Sequence, residues 1–267
     1  MNLFFRKLGQ GPPLIIIHGL YGSSDNWVTI GKKLADKFEV YIIDQRNHGQ
    51  SPHSPDHNYF LLKEDLKDFM DQQSIERAII LGHSMGGKTA MFFSSDYPER
   101  ITNLIVVDIS PLSYFTTNSI QLLQHTAILD SMNKIDFSKI LSRNRIDEIL
   151  SDSIPQKYIR QFLLKNIKRS KDNKLYWGIN IPVLYEKLPE IIDGLKEEDF
   201  KGGRTIAGFP VLFIKGENSD YILEKDITAI KKIYPFAEIE TIPNAGHWLH
   251  AEQPELFLQI LLKFLLE

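Results

Sequence analysis

Five short apolar runs are continuous rather than alternating, and that continuity constrains the fold of this chain more than any other feature. They are Leu14-Ile15-Ile16-Ile17, Val40-Tyr41-Ile42-Ile43, Ala78-Ile79-Ile80-Leu81, Leu104-Ile105-Val106-Val107 and Val211-Leu212-Phe213-Ile214. A strand with one wet face alternates apolar and polar side chains; a strand covered on both faces does not. The runs are rich in β-branched residues, which favours strand over helix. A sixth strand is predicted through Glu238-Ile239-Glu240-Thr241-Ile242. Helical patterns fall between the runs, near residues 27–37, 60–72, 88–97, 224–233 and 254–266. This alternation predicts an α/β fold with a mostly parallel sheet flanked by helices.

The alternation stops between residues 111 and 208, where the pattern is mostly helical and no convincing buried strand is evident. A helical cap inserted between two sheet strands is the simplest reading. It would lie over the strand ends, where α/β sheets bind ligands. Neither a repeat nor a low-complexity linker separates it from the rest. The expected organisation is therefore one domain, with residues 1–110 and 206–267 as core and 111–205 as cap.

Composition narrows the function. A formal net charge of −3 over 267 residues speaks against a nucleic-acid binder. With no cysteine there is no disulfide framework, thiolate zinc site or thiol nucleophile. No run approaches the ~18 apolar residues of a membrane span. The segment from Met1 to Lys7 has no signal-like apolar core. A cytoplasmic location is the expectation. In the apolar C-terminal stretch, Gln259 and Lys263 recur at helical spacing, as in an amphipathic closing helix.

The chemical signal is Gly82-His83-Ser84-Met85-Gly86, directly after a strand run and before a helical pattern. A serine on a very sharp strand-to-helix turn projects its hydroxyl above the sheet, and small residues must flank so tight a turn. The helix that follows aims its N-terminus at developing negative charge. Gly82 to Thr89 also spells Gly-x-x-x-x-Gly-Lys-Thr, a phosphate-binding loop, with Asp108 as its magnesium-holding residue. That reading leaves His18-Gly19 and Gly246-His247-Trp248 without a role, whereas a serine nucleophile uses both.

A serine nucleophile needs a base, and His247 follows the last predicted strand. His250, three residues on, reads as a packing residue. The base needs an acid, and two aspartates satisfy the chain order. Asp108 ends the strand run Leu104-Ile105-Val106-Val107; Asp220 follows the next run, one step beyond Ser219, where a Gly-x-x-Asp pattern from Gly216 would put an acid. The strand-end position favours Asp108. The oxyanion hole needs two backbone N–H groups, expected from Leu20 and Met85, with His18 bracing the first loop.

Four motifs together resemble the YbfF-like esterases of bacteria: His18-Gly19-Leu20-Tyr21-Gly22-Ser23, Asp44-Gln45-Arg46-Asn47-His48-Gly49-Gln50-Ser51, Gly82-His83-Ser84-Met85-Gly86-Gly87-Lys88 and Gly246-His247-Trp248-Leu249-His250-Ala251-Glu252. The likeness covers both ends of the chain and is weak across residues 111–208. It implies the α/β-hydrolase fold, esterase or acyl-thioester hydrolase activity, a helical cap, and neither metal nor cofactor. It also implies Asp108 as the acid, because the family's Asn-Ser-x-Tyr turn falls on Asn218-Ser219-Asp220-Tyr221 and leaves Asp220 at a variable position. Glu217 and Asp220 make this turn more acidic than the family pattern, so the second aspartate stays a candidate.

The expected chemistry is acyl transfer from a small-molecule ester or thioester to water through a Ser84 acyl-enzyme. A non-catalytic ligand-binding member of the same fold is a third reading. Basic residues are frequent between Lys134 and Lys174. They would suit an anionic leaving group such as coenzyme A, but a solvated helix surface is the favoured reading. Tyr176 and Trp177 are candidates for lining the pocket or anchoring the cap. The sequence sets no oligomeric state.

Overall fold

A computed structural model describes residues 1–115, 119–140, 142–196 and 205–266. In chain order the core runs β1 (Phe5–Leu8), β2 (Pro13–Ile17), α1 (Val28–Leu34), β3 (Glu39–Ile43), α2 (Tyr59–Gln72), β4 (Ala78–His83), α3 (Met85–Asp96) and β5 (Ile101–Val107). An insertion follows, with α4 (Ile120–Asn133), α5 (Arg143–Ser151), α6 (Lys157–Leu164), β6 (Ile167–Arg169), β7 (Leu175–Trp177), α7 (Ile181–Glu186) and α8 (Leu188–Ile192). The core resumes with β8 (Val211–Gly216), α9 (Glu224–Ile233), β9 (Glu238–Ile242), α10 (Leu249–Glu252) and α11 (Pro254–Leu266). Residues 197–204, at the end of the segment read as a cap, lie outside the described residues.

The sheet order is β1-β3-β2-β4-β5-β8-β9, parallel throughout except for β1 against β3. The apolar runs are its central strands, and the reason is visible in the packing. Ile15, Ile17, Ile80 and Val106 face Phe69 of α2 and Met91 of α3. Their neighbours Leu14, Ile16, Leu81 and Ile105 face Leu34 of α1 and Phe257 of α11. Each completely buried Ile or Leu contributes roughly 1.5–3 kcal/mol relative to exposure, so neither face tolerates a polar side chain.

Two departures from expectation have the same cause. Phe5-Arg6-Lys7-Leu8 is a strand, but an edge strand, where charged side chains block further pairing. In the insertion, β6 and β7 form a two-stranded hairpin, so the segment is not wholly helical. Its strands are three residues each, flanked by charge, and the turn between them closes with Ser170 N–H donating to the Lys174 carbonyl at 2.8 Å. Neither strand is covered on both faces, and neither carries a continuous apolar run.

Parallel strands bring their C-terminal ends to one edge. The residues that leave that edge are His18 after β2, Asp44 after β3, Ser84 after β4, Asp108 after β5, Glu217 after β8 and Pro243 after β9. The insertion has its own apolar cluster, including Leu129, Met132, Ile146, Leu163 and Leu184, which packs on Leu20, Met85 and Phe92 of the core.

The two roots of the insertion are joined. Leu195 N–H donates to the Pro111 carbonyl and Tyr114 N–H to the Ile192 carbonyl, each at 2.9 Å. Lys88, on α3 and only 1% exposed, pins this crossing to the core. Its ammonium donates to the carbonyls of Leu112 at 3.1 Å, Ile192 at 3.3 Å and Asp193. Burial pushes its pKa from 10.5 down to about 7, with Asp193 opposing the shift. Above about pH 7 the folded chain therefore sheds a proton that the unfolded chain keeps until near 10.5. Stability from this group rises with pH across that window, by up to about 1.4 kcal/mol per pH unit. Urea unfolding of wild type and Lys88→Met is expected to show the difference moving toward wild type between pH 7 and pH 9. A difference that does not change with pH would contradict this.

Candidate active site

Ser84 stands alone between β4 and α3, at φ 53° and ψ −121°. A non-glycine residue at positive φ is strained and persists only where its surroundings enforce it. The enforcing contacts explain the motif. A Cβ on Gly82 would lie 2.2 Å from the Gly86 carbonyl oxygen, and one on Gly86 would lie 2.3 Å from that of Ile17. The backbones meet so closely that only glycine fits at either position. Ser84 N–H is held by the Val107 carbonyl at 2.9 Å.

The structure brings His247 and Asp108 to this serine. His247 Nε2 lies 3.0 Å from Ser84 Oγ, and His247 Nδ1 lies 2.8 Å from Asp108 Oδ2. With Nδ1–H donating to the carboxylate, Nε2 is left to accept from the serine hydroxyl. Asp108 is completely buried, and its backbone N–H donates to the Ile214 carbonyl at 2.8 Å. Its Oδ1 accepts from Gly216 N–H at 3.1 Å, and its Oδ2 also accepts from Ser219 Oγ. Three donors thus converge on one carboxylate. Ser219, which occupies the Gly-x-x-Asp position, is a donor to the acid in the neighbouring strand end. Asp220 is exposed, and the contact that reaches it is Gln121 Nε2 on its backbone carbonyl at 3.2 Å. Glu217 holds the loop before the histidine, accepting from Asn244 N–H at 2.8 Å.

The histidine loop is fixed from several sides. Glu252 accepts from Gly246 N–H at 2.7 Å and from Trp248 N–H at 3.1 Å, bracketing His247. His83 Nε2–H donates to the His247 carbonyl at 2.8 Å. The Tyr221 ring lies flat on the imidazole, 3.9 Å between centroids and 20° between planes. Glu252 sits inside a motif quoted above, and its position two residues beyond His250 was the available signal. Ser219 and Tyr221 lie within the Asn-Ser-x-Tyr turn, but no spacing rule shows that they reach Asp108 and His247.

Leu20 and Met85 both border the space beside Ser84. A Cβ on Gly19 would lie 3.0 Å from the Ser84 Cβ, so the His18-Gly19-Leu20 loop passes against the nucleophile position. His18 is completely buried; Nδ1–H donates to the Gly19 carbonyl at 2.8 Å and Nε2 accepts from Gln45 N–H at 3.0 Å. Burial lowers its pKa, which suits this neutral bracing role. His250 stacks on Trp27, 4.0 Å between centroids, and burial pushes it down to about 3. Arg46 of the second motif makes a paired contact with Asp65 of α2, at 2.6 and 2.9 Å, and does not line the cleft above Ser84.

A cleft of about 470 Å³ opens above Ser84. The insertion supplies its apolar wall through Leu123, Ile128, Ile159, Phe162 and Leu163, and Trp248 faces them from the core. Among the described residues, no Lys or Arg lines it. Two basic residues of the insertion pair away from the cleft, Arg160 with Asp147 at 2.7 Å and Lys168 with Asp25 of the core at 3.3 Å. Tyr176 and Trp177 do not line the cleft either. Trp177 packs edge-on against Phe137 and donates Nε1–H to the Met132 carbonyl at 3.1 Å, inside the insertion.

The phosphate-loop reading of Gly82 to Thr89 does not survive. That loop would need its backbone N–H groups and its lysine turned to a phosphate. Here the segment is a strand, an elbow and a helix, and the Lys88 ammonium is spent on three carbonyls of the insertion roots.

Known proteins resemble this chain along nearly its whole length. Residues 12–139 match the α/β-hydrolase fold family. The esterase YbfF of Escherichia coli (strain K12) is 32% identical over 255 residues, covering 95% of this chain and 92% of that protein. The sn-1-specific diacylglycerol lipase ABHD11 of Mus musculus is 34% identical over 259 residues, covering 95% of this chain and 81% of its own. A solved marine microorganism esterase superposes with a TM-score of 0.93 at 48% identity, covering 98% of both chains. With the sheet, the elbow and these relatives in hand, the chain belongs to the α/β-hydrolase family, in the group that holds the YbfF esterase.

Proposed function

We propose that this protein is a serine esterase that hydrolyses carboxylic esters with uncharged leaving groups. The observation that carries the reading is the unbroken contact from Asp108 Oδ2 through His247 to Ser84 Oγ at the floor of a cleft with an apolar wall. His247 Nε2 takes the Ser84 proton as Oγ attacks the ester carbonyl. The tetrahedral oxyanion is held by the N–H groups of Leu20 and Met85, each worth roughly 3–4 kcal/mol to such a transition state. Collapse breaks the bond to the leaving oxygen, which takes the proton from His247 and departs as an alcohol. Water then repeats the sequence on the acyl-enzyme, and a carboxylic acid leaves. Residues 111–205 act as the cap, with the acyl chain against their apolar wall.

An acyl thioester would follow the same steps, but coenzyme A is the poorer fit. Among the described residues its phosphates would find no Lys or Arg lining the cleft, and the one carboxylate among those lining residues is that of Asp220. The test compares one acyl group on a neutral ester and on coenzyme A across ionic strength. The expected result is efficient ester turnover and the same shallow salt dependence of kcat/KM for both. A steep loss with salt confined to the coenzyme A substrate would mean that basic residues away from the cleft steer it, and would overturn the preference.

A further inference from the structure

His125 of the insertion, which the mechanism above does not use, reaches the catalytic base by way of Tyr221. His125 and Gln121 are four apart on α4 and so share one helix face. That face lies on the turn that follows β8: Gln121 Nε2 donates to the Asp220 carbonyl at 3.2 Å, and His125 Nε2 is 3.0 Å from Tyr221 Oη. On its other side His125 Nδ1 is 3.2 Å from Tyr21 Oη, and Tyr21 Oη lies 3.5 Å from the His125 carbonyl. Burial, and secondarily His247, push the pKa of His125 down to about 4. A neutral ring has one donor and one acceptor. One assignment uses every donor: Tyr221 O–H to Nε2, Nδ1–H to Tyr21 Oη, and Tyr21 O–H to the His125 carbonyl. The Tyr221 backbone is tied independently, its carbonyl accepting from Tyr114 Oη and its N–H donating to Ser219 Oγ at 3.3 Å. Its ring is the part left for His125 to orient, and that ring is stacked on His247.

We propose that His125 is a positioning residue: by holding the Tyr221 hydroxyl it keeps the Tyr221 ring flat on His247, so that the base is aligned when the insertion is seated on the core. The idea rests on the serine-esterase reading. It makes seating of α4 part of assembling the site, since the histidine that orients the base's neighbour belongs to the insertion. A loose Tyr221 ring would leave the imidazole free to tilt away from Ser84 Oγ, a loss felt in the chemical step rather than in substrate capture.

The experiment measures kcat and KM for a short neutral ester in wild type, His125→Ala, His125→Gln, Tyr221→Phe and His125→Ala/Tyr221→Phe. His125→Ala and Tyr221→Phe should each lower kcat about 5- to 30-fold with KM within about twofold. The double variant should lose no more than the worse single, because both break one hydrogen bond. His125→Gln, which can still accept from Tyr221, should recover part of the rate. Thermal melts identify any variant that fails to fold, and Tyr221→Phe, which keeps the ring, decides the matter if His125→Ala is unstable. Losses that multiply in the double variant, or that appear in KM alone, would overturn the proposal and make His125 a substrate contact or a packing residue. Wild-type kcat in both singles would also overturn it. No ester hydrolysis by wild type would instead sink the parent reading, so the two failures are distinct.

Discussion

Ser84→Ala is expected to lower ester kcat by on the order of 10⁵-fold or more, with the fold intact. Removing the nucleophile of a serine–histidine–aspartate set costs nearly as much as removing all three members, because the remaining groups have nothing to activate. The backbone should tolerate the change. Alanine keeps a Cβ at the same φ of 53°, and the elbow is held by the Val107 carbonyl and by glycine contacts that do not involve Oγ. A thermal melt within a few degrees of wild type should accompany the lost rate. Retained turnover would mean that His247 activates water directly.

The second large effect separates the two aspartates. Asp108→Asn should cost roughly 10³–10⁴-fold in kcat, as neutralising the acid of such a set does. The reason is local. Gly216 N–H, Ser219 O–H and His247 Nδ1–H all donate to this carboxylate. An amide of the same size presents a donor to at least one of them and pushes His247 toward the tautomer that cannot accept from Ser84. Asp220→Asn should stay within about threefold of wild type, since that side chain is exposed and the turn is held through its backbone. Steady-state kinetics on the two variants decides it, and the reverse ranking would move the acid to Asp220.

These expectations show what was legible in the residues and what was not. Strands covered on both faces announce themselves, as in Leu14-Ile15-Ile16-Ile17. Edge or hairpin strands such as β1, β6 and β7 carry charge and do not. The elbow was legible because steric crowding demands glycine at 82 and 86, yet the same glycines also spelled a phosphate loop. The engagement of Lys88 with the insertion roots and the contact of Ser84 with His247 remove that ambiguity. The competition between Asp108 and Asp220 turned on one residue of offset, and the structure fills the expected acid position with Ser219, a donor. Tyr221 meets His247, and His125 meets Tyr221, across distances in sequence that no periodicity encodes. For the same reason the basic residues of the insertion could be counted but not placed: composition does not say which face of a helix meets the cleft.

The most direct measurement is reaction of the folded wild-type protein with a fluorophosphonate probe, followed by peptide mapping of the adduct by mass spectrometry. With His247 Nε2 3.0 Å from its Oγ, Ser84 should react stoichiometrically, with the added mass on Ser84 and no adduct in Ser84→Ala. Absence of an adduct in folded wild-type protein, or an adduct on another residue that accompanies loss of activity, would contradict Ser84 as the nucleophile.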